Sequence, residues 1–74
     1  MIVLTGAAGF IGSCLLRKLN DEGLTDIVLV DDFSRSDKNR NLEGKEFYSK
    51  IDRSDFLDWF RAHADEVSFV FHLG

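Results

Sequence analysis

The 74-residue chain has no proline and only one cysteine, Cys14. A lone thiol excludes an internal disulfide and a cysteine-built zinc site. Cys14 falls within a helical apolar pattern and is expected to be a small packed residue. A reducing, cytoplasmic setting is the matching expectation. Positive charge is in the minority: nine Lys and Arg face thirteen Asp and Glu, for a formal net charge of −4. No nucleic-acid partner is therefore expected, because phosphate contacts need clustered cations. No apolar run approaches the roughly 18–20 residues of a membrane span, so no membrane partner is expected. The first apolar run begins at Met1 with no basic stretch before it, so no signal peptide is expected either. Repeats and low-complexity tracts are missing, and no His, Cys or Asp spacing suggests a metal site. His63 reads as a packing residue on a helix face and His72 as a structural residue at a strand end.

Against these absences stands Leu4-Thr5-Gly6-Ala7-Ala8-Gly9-Phe10-Ile11-Gly12. Three glycines at intervals of three follow an apolar run and open a segment of helical spacing. A strand that turns into a helix in this way brings bare main-chain amides towards a bound anion, and the helix dipole favours negative charge there. Gly6 would allow the sharp turn out of the strand. Gly9 would admit a phosphate without a Cβ in the way, and Gly12 would let the helix lie close on the sheet. Asp31-Asp32 closes the next apolar run, nineteen positions after Gly12. That is the distance at which a dinucleotide-binding unit places its ribose-binding carboxylate.

The rest of the chain alternates. Met1 to Thr5 reads as a buried strand, and Phe10 to about Glu22 as a helix with Ile11, Leu15, Leu16 and Leu19 on one face. Gly23 reads as the helix stop. Ile27 to Val30 is a second strand, Ser34 to Asn41 a polar loop, and Glu46 to Ile51 a weaker third strand. Ser54 to about Ala64 reads as a helix that Ser54 can cap, with Phe56, Trp59, Phe60 and His63 on its core face. Asp55 and Asp58 read as dipole-favoured acids of its first turns rather than an acid/base pair. Val67 to Leu73 is the last strand. This order predicts an α/β fold: the N-terminal part of a Rossmann fold, a parallel sheet of about four strands in the order 3-2-1-4 with helices on both faces. A last strand this apolar would leave an open edge, so residues 1–74 are expected to be the N-terminal part of a dinucleotide-binding domain, with catalytic and substrate parts elsewhere.

Thr5-Gly6-x-x-Gly9-Phe10-Ile11-Gly12, Asp31-Asp32, Ile51-Asp52 and Phe71-His72-Leu73-Gly74 together closely resemble the start of an extended short-chain dehydrogenase/reductase, the NAD(P)-dependent sugar-nucleotide epimerases and dehydratases. Leu19 to Ile27, the Lys38 region and Asp52 to Phe56 resemble most the branch that epimerises ADP-activated heptoses. The resemblance implies positions for the cofactor. Phe10 and Ile11 would offer amides to the pyrophosphate, and Asp31 and Asp32 would sit at the adenosine ribose. Lys38 would reach a 2′-phosphate and Arg53, where the branch has Lys, would make a second cationic contact. Asp52 would accept from the adenine amino group. His72, Leu73 and Gly74 would begin a loop that passes the phosphates and the nicotinamide ribose.

The activity this implies is transient oxidation, with a hydride leaving C6 of a heptose for NADP and returning to the opposite face. A nucleotide sugar, here ADP-heptose, would be the substrate, and the complete enzyme would be a homo-oligomer. A carboxylate at Asp31 favours NAD, whereas Arg35, Lys38 and Arg40 could supply the charge that NADP needs; NADP is the expectation and NAD the alternative. The family's Tyr-x-x-x-Lys pair is missing: Tyr48, the one tyrosine, has no Lys four places on. No catalytic residue is therefore expected among the 74, and alone they should show no turnover. A nucleotide-sugar 4-epimerase, a 4,6-dehydratase and a non-catalytic NAD(P)-binding protein are the other readings.

Overall fold

The computed structural model describes residues 1–34 and 39–73. Strand β1 (Ile2–Thr5) leads into helix α1 (Phe10–Asp21), and strand β2 (Ile27–Asp31) follows. After a 3-10 turn at Arg40–Leu42 come strand β3 (Ser49–Asp52) and helix α2 (Phe56–His63). A second 3-10 turn, Ala64–Glu66, leads to strand β4 (Phe69–His72). All pairings are parallel and the spatial order is β3-β2-β1-β4, the arrangement expected of the first half of a Rossmann sheet. The carboxyl ends of β1 and β4 lie side by side, with Thr5 in register with His72.

Two apolar layers flank the sheet, and strand alternation sorts residues between them. Leu4, Ile27 and Leu29 pack with Leu16 and Leu19 of α1, and with Ala7, Ala8 and Leu42. Val3, Val28 and Val30 face the other way, against Phe56 and Trp59 of α2, Ile51 and Val67. The two central strands are buried along nearly their whole length, which explains their unbroken apolar runs. Helix α2 buries no residue completely; its aromatic stripe is half-covered and stacks on itself, with Trp59 and His63 ring centres 4.7 Å apart. The Nδ1 atom of His63 also lies 2.8 Å from the Trp59 carbonyl oxygen, which agrees with a packing role.

Helix α1 ends as its sequence predicts. Gly23 adopts φ +83°, its N–H bonds to the Asn20 carbonyl, and the Leu24 N–H reaches back to that of Leu19. This is a Schellman closure, which needs the left-handed residue that glycine supplies. Three expectations fail. Cys14 is exposed, because the buried stripe of α1 runs through Gly12, Ser13, Leu16 and Leu19. Ile11, on the neighbouring flank, is 70% exposed for the same reason. Ser54 does not cap α2: its hydroxyl donates to Asp52 Oδ1, and Asp55 holds the N-cap position without a side-chain bond.

Candidate functional site

The glycine turn is shaped by three different constraints. Gly6 has φ +70°, a conformation that other residues adopt only with strain. At Gly12 an added Cβ would lie 2.1 Å from the Gly6 carbonyl oxygen, so α1 rests directly on the turn. Gly9 differs from both. Its backbone (φ −74°, ψ 171°) suits any residue, and an added Cβ would meet only the Gly6 oxygen, at 3.4 Å. Nothing in the protein's own packing requires a glycine there. What its missing side chain leaves is space directly before the first turn of α1.

That turn leaves its first main-chain amides open. Among the described residues, no group accepts a hydrogen bond from the main-chain N–H of Phe10, Ile11 or Gly12; the Ser13 N–H is the first to close the helix, onto the Gly9 carbonyl. No acidic residue sits in this first turn to offset its positive end. The side chains of Phe10 and Ile11 stand out from the protein, 78% and 70% exposed.

The polar residues around the turn hold it in place. Asp31 shares the orientation of Ile27 and Leu29, so its carboxylate points to the α1 side and is almost fully buried. Its Oδ2 accepts from the Ala8 N–H at 2.9 Å and its Oδ1 from the Asp32 N–H at 2.6 Å. Asn41 donates to the Ala8 carbonyl at 2.8 Å. Both main-chain groups of Ala8 are thus bound by side chains from elsewhere in the chain. Asp32 lies past the strand, where its Oδ1 accepts from the N–H and hydroxyl of Ser34. Asp52, in register with Asp31, makes the same turn with Ser54. The Arg53 guanidinium approaches Asp32 Oδ2 at 3.8 Å across the top of the sheet.

A cleft of about 430 Å³ opens at this edge, lined among others by Gly6, Gly9, Asp31, Arg53, Phe56 and Leu73. A larger hollow of about 520 Å³, against Thr25, Asp26 and Lys45 to Tyr48, lies at the opposite end of the strands. Open α/β sheets bind ligands beyond the carboxyl ends of their strands, so the smaller cleft is the candidate site. Of the predicted positions, the cleft gathers Gly6, Gly9, Asp31, Arg53 and Leu73. Phe10, Ile11, Gly12, Asp32 and Asp52 do not line it. Lys38 and Gly74 lie outside the described residues, as does Arg35.

Residues 2–74 match the NAD dependent epimerase/dehydratase family. The chain belongs to this family. It is 40% identical to an ADP-L-glycero-D-manno-heptose-6-epimerase of Fusobacterium nucleatum over 76 aligned residues, which take in all of this chain and 23% of that protein. It is 49% identical to the enzyme of the same name from Cupriavidus pinatubonensis over 74 residues, covering 99% of this chain and 22% of that one. The chain thus spans less than a quarter of the length of either epimerase/dehydratase relative.

Two site residues, Asn41 and Thr5, escape the sequence reading. Asn41, inside a polar loop, carries no local signal of its contact with Ala8. Thr5 looks like an ordinary strand end until the β1–β4 register pairs it with His72. For Asp31 the structure adds a role: it fastens the glycine turn. Asp31→Asn turns one acceptor oxygen into an NH2 group that must face an N–H, a loss of about 1–3 kcal/mol for a buried group. Thermal unfolding should show that drop, and faster hydrogen exchange at the Ala8 amide should localise it.

Proposed function

We propose that residues 1–74 form the dinucleotide-binding part of an NADP-dependent sugar-nucleotide epimerase that inverts C6 of an ADP-activated glycero-manno-heptose. The observation that carries this reading is Gly9: a glycine that neither backbone strain nor packing demands, directly preceding the amides of Phe10, Ile11 and Gly12. A diphosphate fits such a gap, because an anion there meets the positive end of α1 with no Cβ between them. The names of the two relatives support the choice of heptose and of C6.

A bound nicotinamide would accept and return the hydride. The chain's own residues bind and orient. Gly6 and Gly9 would admit the diphosphate, and the first amides of α1 would hold it. Asp32 would lie at the adenosine ribose, with Arg53 close enough to offset its charge. That pairing supports NADP, since an isolated carboxylate there would repel a 2′-phosphate. Arg53 and Lys38 would then share the phosphate, with Asp52 reaching the adenine. Leu73 and Gly74 would pass beside the nicotinamide half.

The test is to supply the complete protein with the ADP-activated heptose and NADP and to follow the configuration at C6 by NMR. Inversion supports the reading; a protein that binds NADP yet leaves C6 unchanged and instead inverts or dehydrates at C4 overturns it. Lys38→Ala should weaken NADP by about 10- to 100-fold, the range for a lost charge-assisted bond, and leave NAD nearly unchanged. Equal losses for both nucleotides would remove Lys38 from the 2′-phosphate.

A further inference from the structure

Thr5 and His72 end adjacent parallel strands in register, and both line the cleft. Residues paired in this way project from the same face of a sheet. The Thr5 side chain is buried, and its Oγ1 accepts from the Leu73 N–H at 3.0 Å. It also lies 2.9 Å from His72 Nδ1 and 3.4 Å from the Phe71 carbonyl oxygen. A hydroxyl has one hydrogen to give. Given to Nδ1, it makes a bond of ordinary length; given to Phe71, it makes a bond at the weak limit of the range. Either the Thr5 hydrogen serves the short contact and His72 Nδ1 accepts, or Nδ1–H donates to Oγ1 while the hydroxyl serves Phe71; the shorter of the two bonds open to the hydroxyl favours the first. In a neutral imidazole the proton then resides on Nε2.

We propose that Thr5 is a positioning residue that fixes His72 with its Nε2–H directed into the cleft, where it donates to an oxygen of the bound diphosphate. The inference rests on the dinucleotide reading above and adds a contact to it. The cleft places His72 beside Gly6 and Gly9, the gap that would admit that diphosphate. A neutral N–H donor on the β4 side would complement the α1 amides on the other. Phosphates are held both by main-chain amides and by side-chain donors of this kind.

The experiment combines three readouts on the complete protein. Imidazole 15N shifts, recorded without nucleotide at a pH where His72 is neutral, should report a bare Nδ1 and a protonated Nε2. Calorimetric titration with NADP and with ADP-ribose, which keeps the diphosphate and lacks nicotinamide, should give Kd values about 10-fold weaker for His72→Ala. Thr5→Val should give a similar loss, Thr5→Ser should restore affinity, and the double variant should lose no more than either alone, the mark of two residues acting through one contact. Thr5→Val keeps the shape of the side chain, and the Leu73 N–H retains a bond to the Thr5 carbonyl at 3.3 Å, so the fold should persist. His72→Ala, at an exposed position, is the second guard against a folding artefact. A proton found on Nδ1, additive losses, or a Thr5→Val protein that melts lower yet binds both probes as before would overturn the inference while leaving the dinucleotide reading intact. A protein that binds neither probe without any substitution overturns both.

Discussion

Gly9→Val should abolish dinucleotide binding, with a loss of 100-fold or more in affinity, about 2.7 kcal/mol, while the protein stays folded. The backbone at Gly9 is open to valine, and the first added carbon sits at ordinary contact distance from the Gly6 oxygen. The cost to stability is the weaker N-cap, roughly 1 kcal/mol. The cost to binding is larger, because the isopropyl group fills the gap at the mouth of the α1 amides and lifts a phosphate out of reach of several N–H donors at once. Each charge-assisted hydrogen bond so lost is worth about 1.5–3 kcal/mol. Calorimetric titration and a circular dichroism melt separate the two effects. A near-native melt with undiminished NADP affinity would show that the phosphate does not lie there.

Gly12→Ala should do the reverse and damage the fold itself. A single methyl at this position must avoid a main-chain oxygen at 2.1 Å and a main-chain carbon at 2.8 Å, and neither belongs to a flexible side chain. Helix α1 would have to lift off the Gly6–Ala7 turn and carry Leu16 and Leu19 away from Leu4 and Leu29. Overpacking in a close-packed interior costs about 1–3 kcal/mol, and a clash with backbone belongs at the top of that range or beyond. Denaturant unfolding should show a markedly lower midpoint. Unchanged stability would mean that α1 can reseat without loss. Two glycines three residues apart are thus expected to fail differently, one in ligand affinity and the other in folding.

The alternation of apolar and polar segments made the parallel sheet and its strand order legible from the residues alone. Glycine turns have steric rules strong enough to be read from spacing, and crossover handedness leaves few arrangements for β-α-β units. The facing of each side chain was harder to read. Val28, Leu29 and Val30 are apolar on both sides of β2, so no polar alternation shows which way Asp31 turns. Its burial beneath the glycine turn follows only once α1 is seen to cover the Ile27 and Leu29 side. The same ambiguity misplaced Cys14 and Ile11, because an amphipathic pattern locates a stripe only to within about one residue of its flank. Strand β3 begins later than its composition suggests. Asn20 takes the preceding segment instead, its side chain exchanging two hydrogen bonds with the main chain of Glu46. Contacts between residues distant in sequence, such as Asn41 with Ala8 or Thr5 with His72, leave no trace in any local window.

The double tether on Ala8 bears on how quickly and at what entropic cost a ligand is captured. A loop that must be frozen upon association gives up part of its contact energy to that freezing. Here Asp31 and Asn41 have already done so during folding. The receiving amides should consequently hold nearly the same coordinates with and without nucleotide, association should need no slow rearrangement, and loosening either tether should reveal itself first in the on-rate.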